Sequence, residues 1–86
     1  NAKPLIQFSH LEIVKIRPLG DAGRHVKLFV RQGSATRSII AFSRPDIQKQ
    51  FAVRDTIDVV CELEENEWNG QREPQMKLSA IRTSQL

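Results

Sequence analysis

Residues His25 to Arg31 read His-Val-Lys-Leu-Phe-Val-Arg, and their alternation puts two chemistries on two faces of one strand. Successive strand side chains point to opposite sides, so Val26, Leu28 and Val30 make an apolar face that belongs in a core. Lys27, Phe29 and Arg31 make the other face, a ring between two cations. A ring offers a surface on which any base can stack, and flanking cations neutralise phosphates, so the trio suits a single-stranded polyanion.

Nothing comparable points to catalysis. Neither His10 nor His25 has a cysteine or carboxylate at metal-ligand spacing, and no glycine-rich phosphate loop or nucleophile elbow occurs. The acids between Glu62 and Glu67 read as a solvated face, because Glu62 and Glu64 fall on the polar parity of their run. No catalytic residue, metal ligand or cofactor is expected in this chain. Cys61 sits in an apolar alternation and reads as a small buried hydrophobe, which suits a reducing, cytoplasmic setting.

The charge is uneven. Residues 1–54 hold ten Lys and Arg against three acids, a surplus of seven; residues 55–86 hold three against seven, a deficit of four. A basic half is a pointer to a polyanionic partner. The chain has 86 residues, 40% of them hydrophobic and 27% charged, which fits one globular domain over 1–86. No apolar run approaches the roughly 20 residues that cross a bilayer, so no membrane partner is expected. Asn1 and Ala2 read as a remnant of tag cleavage ahead of a natural segment starting near Lys3.

Five strand-like runs must position the trio. The first, Ile6 to Arg17, shifts its apolar phase from Ile6 and Phe8 to Leu11 and Ile13, then to Val14 and Ile16. A one-residue slip swaps faces, so a mid-strand bulge or bend is predicted. The second run, Val26 to Arg31, follows a turn at residues 18–23, and a hairpin at residues 32–35 leads to a third, Thr36 to Phe42. Ser43 to Phe51 is predicted as a helix of one to two turns capped by Ser43, with Pro45 early and Ile47 and Phe51 on one side. The fourth run, Thr56 to Glu64, turns Ile57, Val59, Cys61 and Leu63 inward. Residues 65–74 read as a polar loop around Asn69-Gly70, and Gln75 to Ile81 is the fifth run, with Met76, Leu78 and Ala80 on one side.

Three strands, a short helix and two strands, with a long bent first strand, predict an all-β, five-stranded OB-fold, a Greek-key barrel. Ligands of that fold lie on strands two and three, between the loops joining strands one and two and strands four and five. The candidate nucleic-acid-binding residues are then Lys27, Phe29 and Arg31 on the floor, with Arg37 on the neighbouring strand. Arg24 and His25 fall at one rim, Trp68 and Arg72 at the other.

From Pro4 to Arg82 the chain resembles the OB domain of the RecJ family of single-stranded-DNA-specific exonucleases. The resemblance is carried by His25-Val-Lys-Leu, Ile40-Ala-Phe42, Val59-Val-Cys-Glu-Leu63, Asn66-Glu-Trp-Asn-Gly70 and Gln75-Met-Lys-Leu with Ile81-Arg82. Pro74 and Ala80 depart from the family pattern. The resemblance implies a fragment of a larger enzyme that degrades single-stranded DNA from its 5′ end in recombination and repair. It implies a separate catalytic core with Asp-His-His motifs and Mn or Mg ions, none of whose motifs occurs here. It marks His25, Lys27 and residues 66–70 as family-like. The expected partners are single-stranded DNA and the parent chain's catalytic domains. The alternative is a module that docks on other domains or proteins without touching DNA, suggested by Val60 on the polar parity of the fourth run.

Overall fold

The two phase breaks in the first apolar run become two bulges in one long strand. In the computed structural model, which describes residues 3–68 and 70–85 without the side chains of residues 66–68, β1 spans Leu5–Leu19. Its first half pairs antiparallel with β4 (Thr56–Trp68), and its second half with β2 (His25–Gln32). The β4 register slips between Phe8 and Leu11, where Ser9 and His10 together oppose Asp58. The β2 register slips between Ile13 and Lys15, leaving Val14 as the extra residue. Each bulge reverses which parity faces inward, so Leu11, Ile13 and, partly, Ile16 all reach the core.

β3 (Ala35–Ala41) pairs with β2, and β5 (Gln71–Thr83) pairs with β4. The five strands close in the order β1-β2-β3-β5-β4. This is the predicted OB barrel. Closure between β3 and β5 rests on one parallel pair, Ile40 with Lys77, so the first halves of both strands are unpaired with each other. Val26, Leu28 and Val30 are fully buried, as their alternation requires. Cys61 is buried too, and burial pushes its thiol up to about 11, consistent with an inert apolar filler.

Three expectations need correction. The polar stretch at residues 65–74 is strand through most of its length: β4 continues to Trp68 and β5 starts at Gln71, the two in register with each other. Cross-strand pairing overrides the polar composition, and Gly70, just before β5, takes a φ of 77° that favours glycine. Pro74 is tolerated because β5 is an open edge there on its β3 side. The helix α1 is a single turn, Ile47–Gln50, with Asp46 rather than Ser43 at its N-terminus, although Ile47 and Phe51 are buried as expected. In β5 a bulge at Ser79 turns Ala80 outward and brings Ile81 against the core.

Asp58 has the outward parity of β4, yet it is only 8% exposed. Its carboxylate accepts hydrogen bonds from the Ser84 hydroxyl at 2.6 Å, the His10 backbone N–H at 3.0 Å and Arg82 Nε at 3.0 Å. His10 holds a φ of 58°, a left-handed conformation that strains a residue with a Cβ, so Asp58 secures the first β1 bulge. The Ser84 hydroxyl first, then the His10 N–H and Arg82, hold the carboxyl down from the ordinary 3.8 to about 2.

A folded-state pKa below the unfolded value adds stability above pH 4 that is lost as pH falls towards 2. The melting temperature is therefore expected to drop across that window, and less steeply in Asp58→Asn. Circular dichroism melts at stepped pH check this; an equally steep fall in the variant would show that Asp58 does not govern acid stability. Leu28→Ala, which empties a fully buried site, is expected to lower unfolding free energy by about 2–5 kcal/mol in urea titrations.

Candidate nucleic-acid interface

Register places the outward face of β2 against the second half of β1. Phe29 lies opposite Lys15 on β1 and Ser38 on β3; Lys27 lies opposite Arg17 and Ile40. The Phe29 ring, half-buried on this outer face, has Lys15 Nζ at 5.5 Å and Lys27 Nζ at 5.2 Å from its centroid. Both cations are held by the negative face of the ring. Arg17 stands directly across from Lys27, a like-charge pair that costs stability. Among the described residues, no carboxylate forms an ion pair with Lys15, Arg17 or Lys27.

Arg31 differs from its two companions. Its guanidinium is paired with Glu12, its register partner on β1, so its charge is locally compensated. Lys15 and Arg17 take its place as cations of this face without an ion pair among the described residues. Sequence reasoning missed both, because their side depends on the Val14 bulge; the Lys-Ile-Arg alternation at residues 15–17 was the available signal.

A groove of about 560 Å³ opens beside this face, where β3 and β5 are unpaired. Ile6, Phe8 and Met76 line it, with Lys27 and Arg37 contributing cations and Glu73 an acid. Arg37 is in register with the buried Val30, so it has the inward parity and does not share the Phe29 face. At the barrel's end it turns over Phe8 instead, with Cζ 5.2 Å from the ring centroid.

The remaining predicted residues are spread along the rims. Arg24 is exposed just after the single 3-10 turn Asp21–Gly23 that joins β1 to β2. His25 is anchored: its Nδ1 accepts the Ser43 backbone N–H at 2.8 Å, and its ring packs edge-on to Phe42 with centroids 5.3 Å apart. Gly20 presses against it so closely that a Cβ there would sit 3.1 Å from His25 Cδ2, at a φ of 78° that also favours glycine. Arg72 lies on the β4–β5 arm, exposed and 3.9 Å from Glu65. Trp68 ends β4, but its side chain lies outside the described residues.

Likeness to known proteins agrees with this geometry. The RecJ OB domain family matches residues 1–80. The single-stranded-DNA-specific exonuclease RecJ of Bacillus subtilis (strain 168) is 26% identical over 85 residues, which cover 99% of this chain and 11% of that protein. The chain thus spans about a ninth of that relative's length. Among solved structures, the mitochondrial single-stranded DNA binding protein of S. cerevisiae superposes with a TM-score of 0.74 at 9% identity, covering 95% of this chain and 96% of that one. The aspartyl tRNA synthetase of Entamoeba histolytica gives 0.73 at 17% identity over 99% of this chain and 19% of its own. At such identities the solved structures speak for the fold. The family match over nearly the whole length says more: this chain belongs to the RecJ OB domain family.

Proposed function

We propose that this chain is the single-stranded-DNA-binding OB domain of a RecJ-like exonuclease, holding the strand without sequence preference while a separate core degrades it from its 5′ end in recombination and repair. The observation that carries this reading is the cation cluster around an outward ring, with Lys15 and Lys27 flanking Phe29 and Arg17 facing Lys27. Uncompensated like charges side by side are unfavourable unless a polyanion lies across them. The relative of that name acts specifically on single-stranded DNA, and the S. cerevisiae neighbour binds it.

The strand runs over the outer face of β2 and β3, with Lys27 also lining the groove where Arg37 and Phe8 lie. Acids line the far side: Glu64 is held by Lys3, Glu65 lies near Arg72, and Glu73 borders the groove. Of these, Glu73 forms no ion pair among the described residues and repels phosphates at that border. Arg24, His25, Arg72 and Trp68 belong to the margins of this path, and Arg31 contributes less because Glu12 offsets it. The Mn or Mg expected for the family finds no fitting set of ligands here. Among the described residues no three His, Cys, Asp or Glu side chains gather. The catalytic core, its metals and a cytoplasmic site of action are assigned to the parent protein. No helix among the described residues is long and apolar enough to cross a membrane.

A second reading has its own observation. Val60 and Ala80 oppose each other on the outer face of β4 and β5, and Leu5 on the paired β1 is 64% exposed, a small apolar patch that could dock on another domain.

Fluorescence anisotropy with oligo(dT) separates the two. Affinity is expected to be weak and to fall steeply with salt, and Lys15→Ala or Lys27→Ala to flatten the log–log slope by about 0.7 each. Arg31→Ala should change it less. No binding even at low ionic strength would leave the docking reading. Phe29→Ala is expected to weaken binding by about 1–3 kcal/mol with an unchanged melting temperature. Unchanged affinity would remove the ring from the path, and an unfolded variant would place it in the core.

A further inference from the structure

We infer that Phe42 is a second base-stacking platform on the same face, so that the domain grips a single strand at two rings rather than one; this rests on the strand-binding reading above. Phe42 follows the last residue of β3 and is 42% exposed. Lone exposed apolar residues are ordinary on protein surfaces, so exposure alone decides nothing. What distinguishes Phe42 is its surroundings, which repeat those of Phe29. Lys77 Nζ lies 5.8 Å from its ring centroid, as Lys15 and Lys27 lie near the other ring.

The ring is also braced. His25 packs edge-on against it, and His25 is itself fixed by the Ser43 N–H and crowded by Gly20. A ring held in place before binding loses little freedom when a base stacks on it. Pairing puts both rings on one surface. Val26 pairs with Ala41, Lys27 with Ile40 and Phe29 with Ser38, so continuing the ladder sets Phe42 beside His25 on the outward side. Phe29 and His25 are four residues apart on β2, about 13 Å at strand rise. At the stacked rise of about 3.4 Å per nucleotide, a strand following β2 would cover that span in roughly four nucleotides. Lys27 and Ile40 fill the interval with a cation and an apolar floor. His25 thereby becomes a positioning residue for Phe42.

Three variants of the chain decide the matter in oligo(dT) anisotropy at low salt, with melting temperatures alongside. Phe42→Ala is expected to lose about 5- to 150-fold in affinity, comparable to Phe29→Ala, while Phe42→Trp retains it. Photocrosslinking with oligonucleotides carrying 5-iodouracil, mapped by mass spectrometry, should join the strand to both Phe42 and Phe29. Wild-type affinity in Phe42→Ala beside a weakened Phe29→Ala would overturn the second platform and leave the strand-binding reading standing. If Phe42→Ala is poorly folded, loss of affinity in Phe42→Trp together with crosslinks at Phe29 alone overturns it. Absence of oligo(dT) binding by the unaltered chain would remove both.

Discussion

Every strand of a closed barrel has two neighbours, and β1 meets its two along different halves of its length, with a register shift in each pairing. It hydrogen-bonds to β4 along its first half and to β2 along its second. A strand with uninterrupted alternation could not keep apolar side chains inward along such a bent path, since the barrel wall turns under it. The two bulges solve this by moving the inward parity twice. The first requires a left-handed His10, and the buried carboxylate of Asp58 holds that residue's N–H. Asp58 also ties in Arg82 and Ser84 at the end of β5, so one side chain secures the bulge and the last strand together.

From that constraint the outer face follows. The Val14 bulge puts Lys15 opposite Phe29 and Arg17 opposite Lys27. Without it the two β1 cations would turn towards the core and the ring would lose one of its two ammonium groups. The bulge that serves packing is therefore also what assembles the cationic face.

Much of this was legible in the residue order, and the rest was hidden for identifiable reasons. The parity of Val26 to Val30 against Lys27 and Phe29 needs only the period of a strand, and it holds because that face meets a dry core. The phase breaks at Phe8–Leu11 and Ile13–Ile16 announced the bulges. Polar content concealed the length of β4 and β5, because strands paired mainly with each other beyond the barrel need no apolar face. The burial of Asp58 was hidden because its partners, His10 and Ser84, are 48 and 26 positions away. Arg31 looked like a free cation because Glu12 is 19 positions away. Arg37 shows the limit of parity near a strand's end. It has the inward phase, yet at the barrel mouth it reaches out over Phe8.

The distribution of ion pairs supplies the last step. On the β4–β5 side three of the acids have basic partners close by, with Lys3 at Glu64, Arg72 near Glu65 and Arg82 at Asp58. On the β1–β2 side Lys15, Arg17 and Lys27 have none among the described residues, although Glu12 on the same strand shows that a carboxylate can be accommodated there. A surface selected for stability alone would intersperse signs, since exposed pairs contribute a few tenths of a kcal/mol and like charges in register subtract. The domain instead compensates charge on one side and leaves it open on the other, around a ring. That asymmetry fits the proposed reading, in which the counter-charges would come with a single strand, and it explains why a modest net charge of +3 conceals a strongly cationic face.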